Sequence, residues 1–175
     1  MDPPVVTPYV LTVDADVRDL RAADRLLHTL AAELALPEGV FGCTHLVRGD
    51  RPRVACSLAL PTEPLLRTAQ ERLTAGGHAV SPGAPDAVGR AVLYPGVSSL
   101  TGTLTIADLL SRSAIDRVTV LGSPGPPAPD TRLVTGGHVR PQWQNDKLVL
   151  TTMPAVGGTL VPFEVADPTP CCADH

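Results

Sequence analysis

The chain has 175 residues, a formal net charge of −4, 43% hydrophobic residues and only 3% aromatic ones. That length supports one substantial core or two small ones, built from Leu, Val and Ala rather than from rings. The arginines are scattered, Lys147 is the single lysine, and this balance argues against a nucleic-acid partner, which needs clustered cations to displace phosphate counterions.

The start, Met1-Asp2-Pro3-Pro4, is acidic and proline-rich, unlike the basic-then-apolar pattern of a secretory leader. No apolar run approaches the ~20 residues that cross a bilayer. These features predict a cytoplasmic protein with no membrane partner. The Ala, Pro, Arg and Gly bias matches GC-rich bacterial coding. In a reducing cytosol the four cysteines are expected as thiols, metal ligands or catalytic groups before disulfides.

Residues 9–13 read as a short strand. Asp14, Asp16 and Asp19 then supply helix-start charge, and Leu20, Ala23, Leu27, Leu30, Ala31 and Leu34 recur at spacings of three and four, which predicts an amphipathic helix ended by Pro37 and Gly39. Residues 41–47 and 53–60 read as two strands. The second places Val54, Cys56, Leu58 and Leu60 on one face and Arg53, Ala55, Ser57 and Ala59 on the other. Gly49 and Asp50 between them predict a tight hairpin. Thr62 is a helix N-cap followed by Glu63 and Pro64, Leu65, Leu66, Ala69 and Leu73 form the apolar face, and Gly76 and Gly77 stop it. Residues 78–80 read as a returning strand before the turn-rich segment 81–85.

The resulting β-α-β-β-α-β order resembles the ferredoxin-like unit. That resemblance is architectural and carries no motif. It implies a four-stranded antiparallel sheet with two helices on one face over residues 6–82, in an α+β protein, and it implies no particular activity.

Further along, residues 91–94 read as a strand and Thr105 with Asp108 as a capping-box-like pair before a short helix ending near Ser113. Residues 117–121 form a β-branched strand, and the proline-rich stretch 123–129 a loop. Residues 139–144, 148–153 and 159–165 read as strands, the first two joined at Asn145 and Asp146 so that Trp143 faces Leu148. The chain is thus divided into an α+β domain at 1–85, a small β-rich module with one helix at 86–166, and a Pro/Cys/His tail at 167–175.

The candidate chemistry is sulfur and imidazole. A turn centred on Gly49 and Asp50 makes Cys43 face Cys56, with His45 two residues along on the same face. Cys171, Cys172 and His175 close the tail. Three or four such donors converging within ~2.0–2.3 Å hold zinc, so the leading expectation is a zinc site drawn from Cys171, Cys172, His175, Cys43, His45 and Cys56, with any catalytic role unassigned. The competing structural reading is that Cys43 and Cys56 pack as small hydrophobes. Cys172 stands fourth from the end, but Asp174 is not aliphatic, which argues against prenylation.

His78 and His138 each follow a Gly-Gly step and read as loop histidines. The hydroxyls at Ser98, Ser99, Thr101, Thr103 and Thr105 read as a solvated connection. No phosphate loop, dinucleotide fingerprint, GxSxG elbow or HExxH helix is present, so no nucleotide or flavin is indicated. Two alternatives stand beside the metal reading. One is a ligand-binding or homo-oligomeric assembly module using an open sheet face at Arg53, Ala55, Ser57 and Ala59. The other is a thiol redox protein using Cys171 and Cys172, or Cys43 with Cys56.

Overall fold

The computed structural model describes residues 9–166, which form a mixed α+β structure with eleven strands and three α-helices among the described residues. The strand content is larger than the sequence patterns indicate. The chain divides into two compact units, the first ending at Pro95 and the second starting at Gly96.

In the first unit β1 (Tyr9–Val17) outruns its five-residue apolar signal and carries an irregularity between Val13 and Val17, where Asp16 takes a left-handed φ of 54°. Helix α1 (Leu20–Glu33) begins at Asp19, whose carboxylate accepts from the Ala22 N–H at 2.8 Å. The cap is therefore the third aspartate of the cluster. Asp14 instead accepts from Arg53 Nε at 2.6 Å. Strands β2 (Phe41–Val47) and β3 (Arg53–Leu60) fall where alternation predicts them. Helix α2 (Glu63–Ala75) is capped by the Thr62 hydroxyl, which accepts from the Leu65 N–H. Strand β4 (Ala79–Pro82) returns along β1, and β5 (Arg90–Leu93) pairs with β2. The resulting sheet runs β4-β1-β3-β2-β5 with every neighbouring pair antiparallel.

One face of this sheet is apolar and takes the helices. Leu11 and Val13 of β1 and Val54, Cys56, Leu58 and Leu60 of β3 pack with Ala23, Leu27 and Leu30 of α1 and Ala69 and Leu73 of α2. Each fully buried leucine contributes about 1.5–3 kcal/mol relative to exposure. The same face also buries charge. Asp24 of α1 accepts from Arg90 Nη1 at 2.6 Å and Nη2 at 3.1 Å, and Arg90 Nη1 also donates to the Thr44 hydroxyl at 3.3 Å. Asp24, Arg90 and Thr44 are all buried, so three elements of the unit meet in one polar knot. The bidentate geometry satisfies the carboxylate, which a buried charge requires.

The second unit contains β6 (Thr103–Thr105), α3 (Ile106–Arg112), β7 (Arg117–Val120), β8 (Arg132–Val134), β9 (Gln142–Gln144), β10 (Lys147–Pro154) and β11 (Leu160–Pro162). Thr105 caps α3 as its spacing predicts, accepting from the Asp108 N–H at 3.1 Å. Trp143 faces Leu148 across the β9–β10 hairpin. Asn145 and Asp146 both have positive φ, 49° and 63°, as a two-residue type I′ turn demands. Strand β7 runs parallel to β10 and β8 parallel to β11, pairings that short apolar runs do not announce. Gly96 has φ 85° and any Cβ there would lie 1.9 Å from the Arg112 carbonyl oxygen, so glycine is obligatory at that approach. No helix among the described residues is long and apolar enough to cross a membrane.

The polar knot should behave as a unit. Asp24→Ala leaves a buried guanidinium without its carboxylate and is expected to cost about 3–5 kcal/mol in urea unfolding. Asp24→Leu combined with Arg90→Met should cost much less. Equal losses for the single and double variants would disprove the coupling.

Candidate functional site

The β2–β3 hairpin decides where the reactive side chains go. Val47 pairs with Arg53, so the connection is five residues, 48–52, rather than a two-residue turn. That odd count moves the register by one from the one expected for a turn centred on Gly49 and Asp50. Cys43 therefore faces Ser57, His45 faces Ala55 and Thr44 faces Cys56. A one-residue slip carries every side chain to the opposite face. Cys56 is thus on the helix-covered face, while Cys43 and His45 share the other face with Ser57. The expected Cys43–His45–Cys56 group does not form.

The metal-centre expectation is overturned with it. Among the described residues no group of three or more His, Cys, Asp or Glu side chains is arranged to hold a metal ion. Cys171, Cys172 and His175 lie outside the described residues. Cys56 is also poorly suited to thiolate chemistry. Burial, and behind it the negative charges of Asp24, Asp14 and any Cys43 thiolate, push its thiol from 9.0 up to about 12. The face expected to be open is not open at its middle, since Ala55 and Ser57 are both buried.

In place of sulfur, the outer face assembles a Ser-His-Asp relay. His45 Nε2 lies 2.7 Å from Ser57 Oγ, and His45 Nδ1 lies 3.0 Å from Asp86 Oδ1. The carboxylate can only accept when ionised, so Nδ1 carries the proton and donates to it. In the neutral imidazole Nε2 is then the acceptor, and the Ser57 hydroxyl donates to it. His45 and Ser57 are buried, whereas the Asp86 side chain is 46% exposed. The imidazole is therefore held in a largely dry place with its orienting carboxylate at the rim.

Local structure explains each position. Ser57 is paired on both sides, to Thr12 of β1 and Cys43 of β2, and His45 is paired to Ala55 of β3 directly after Thr44, the last β2 residue paired with β5. Asp86 sits on the loop between β4 and β5. That loop is fixed at its start, where Gly83 N–H donates to the Val10 carbonyl at 2.9 Å and the Thr12 hydroxyl donates to the Gly83 carbonyl at 2.6 Å. It is fixed at its end by β5, where Ala91 faces Cys43. Pro82 and Pro85 reduce the freedom of the segment before folding. Within it, Val88 N–H donates to Asp86 Oδ1 at 3.0 Å, so the oxygen that receives the imidazole proton is already oriented.

Near the start of β3 and the β1 irregularity, Asp14, Asp16, Arg51 and Arg53 line an open depression of about 480 Å³. Its two acids and two bases balance, so it has no net charge with which to select an ion, and the relay is not among its lining residues. Of the two Gly-Gly-His steps, His78 N–H donates to the Leu73 carbonyl and helps end α2. In the second unit His138 Nε2 is 2.9 Å from Glu164 Oε1. No known protein family, curated protein or solved structure matches the chain.

The sequence reading missed Ser57 and Asp86 as site residues. Ser57 lies in the middle of a strand with no glycine elbow around it, and Asp86 lies in a proline-rich loop. Alternation placed Ser57 with Arg53, Ala55 and Ala59, but the register expected for a Gly49–Asp50 turn placed His45 with Cys56 on the opposite face, and only the observed pairing brings His45 and Ser57 to one side.

The raised Cys56 thiol has a consequence for stability. The unfolded thiol releases its proton above about 9, whereas the folded one keeps it to about 12. In that window the folded state binds more protons, so stability falls as pH rises. Thermal unfolding should show Tm declining above pH 9, and Cys56→Ala should flatten that decline. An unchanged slope in the variant would contradict the assignment.

Proposed function

We propose that the first unit is a serine-dependent hydrolase or acyl transferase. The observation that carries this reading is the continuous relay from Ser57 Oγ through His45 to Asp86, with both links at hydrogen-bond length. A serine hydroxyl is a weak nucleophile on its own, and a neutral imidazole within reach of its proton is what activates it.

In this reading Ser57 Oγ attacks the carbonyl carbon of an ester or thioester while its proton passes to His45 Nε2. Asp86 stabilises the imidazolium that forms. The tetrahedral adduct collapses, the acyl carbon–leaving-group bond breaks, and His45 returns the proton to the departing alkoxide or thiolate. Water, deprotonated by the same imidazole, then cleaves the acyl-serine and restores the hydroxyl. General-base assistance of this kind contributes about 10²–10⁴-fold.

The scaffold is read as a ferredoxin-like sandwich. The β1-α1-β2-β3-α2-β4 order, the antiparallel run β4-β1-β3-β2 and the packing of both helices on one face support it, with β5 as a fifth strand. The buried Cys43 and Cys56 thiols fit a reducing, cytoplasmic setting.

Incubating the full chain with a fluorophosphonate, which captures activated serines, should give a single covalent adduct that peptide mass spectrometry places on Ser57. Ser57→Ala should abolish it, and His45→Gln should slow it by about 100-fold or more. A chain that stays unmodified, or an adduct that persists in Ser57→Ala, would refute the proposal.

A further inference from the structure

Gly89 is buried where the β4–β5 loop meets β5. Its backbone passes directly over the outer face of β2. A Cβ added there would lie 3.0 Å from Cys43 Cβ, 3.1 Å from His45 Cε1 and 3.3 Å from Cys43 Sγ. Its φ is not in the left-handed region, so backbone freedom is not what requires glycine. The constraint is steric, and it falls on Cys43 and on the edge of the imidazole.

We propose that Gly89 is a positioning residue for His45, and that residues 86–89 act as a clip setting the relay geometry. This inference rests on the acyl-transfer reading of Ser57. Cε1 is the ring carbon between the two imidazole nitrogens. Pressure on it displaces Nδ1 from Asp86 and Nε2 from Ser57 together, so a single methyl loads both hydrogen bonds. The methyl cannot escape sideways, because Cys43 closes the other side and β2 is held between β3 and β5. The imidazole can yield only by straining those two hydrogen bonds, because it is buried and tied at both ends. The same clip holds the carboxylate: Val88, 61% exposed, has an N–H that donates to Asp86 Oδ1. Adjacent in sequence, Val88 orients the acid and Gly89 sets the distance of the base.

The test compares Gly89→Ala with Gly125→Ala, a glycine with normal φ and open space around it. The two readouts are the rate of fluorophosphonate labelling and the downfield proton resonance of His45 Nδ1–H in ¹⁵N-labelled full chain. Gly89→Ala should slow labelling by about 10-fold, less than the roughly 100-fold that a 1 Å misplacement costs, because contacts of 3.0–3.3 Å ask the neighbours to give by only a few tenths of an ångström, and should shift or broaden the His45 resonance. Gly125→Ala should change neither. A folded Gly89→Ala protein with both readouts unchanged would overturn the inference. If Gly89→Ala does not fold, Val88→Pro decides, since it deletes the amide proton at an exposed site. An unaltered His45 resonance in folded Val88→Pro would then overturn the inference. The resonance reports imidazole placement even where Ser57 is unreactive, so failure of the clip and failure of the acyl-transfer reading give different results.

Discussion

The register of the β2–β3 hairpin is the constraint on which the candidate site depends. Strand β3 has no choice of face: Val54, Cys56, Leu58 and Leu60 must meet the helices, because turning them outward would expose the whole stripe. Strand β2 has no such stripe. Its inward residues include Gly42 and Thr44, and its outward ones Cys43 and His45. What gives β2 a preferred register is polar: Thr44 lies beside the Arg90–Asp24 pair, where a hydroxyl is a useful third partner. With Thr44 inward, the alternation of the strand sends His45 outward to Ser57.

The two faces of one sheet thereby hold different chemistry. The inner face keeps a thiol protonated beneath two helices, next to a neutralised ion pair. The outer face carries an imidazole whose two nitrogens are each given one partner. The loop bearing Asp86 joins them physically, since it leaves β4 on the β1 edge and re-enters as β5, the strand that also supplies Arg90. Core and relay therefore share one connection. A change in how β5 pairs would move Arg90 on one side and Gly89 on the other.

The second unit follows plainer rules. Its β9–β10 hairpin is specified locally, by two residues able to hold positive φ and by an aromatic-aliphatic cross-strand contact. Its parallel pairs, β7 with β10 and β8 with β11, join segments distant in sequence, and no local signal encodes such partners.

Much of the first unit was legible in the chain. Helical spacing located α1 and α2, and alternation assigned the faces of β3. Thr62 is the cap of α2, and Thr105 that of α3 in the second unit; these are short-range properties, set by side-chain period and by the unmet N–H groups of a first helical turn. The zinc expectation failed at a longer-range property. Gly49 and Asp50 invite a two-residue turn, but a five-residue connection keeps β2 and β3 correctly faced, and one residue of slip replaces Cys56 with Ser57 opposite Cys43. Asp86 was not legible at all, because 41 positions separate it from His45 and nothing local indicates where the loop crosses. Local sequence determined which segments are strands and helices and which way β3 faces. Tertiary packing alone decided which side chains meet, because register and loop path are settled by the burial of partners far apart along the chain.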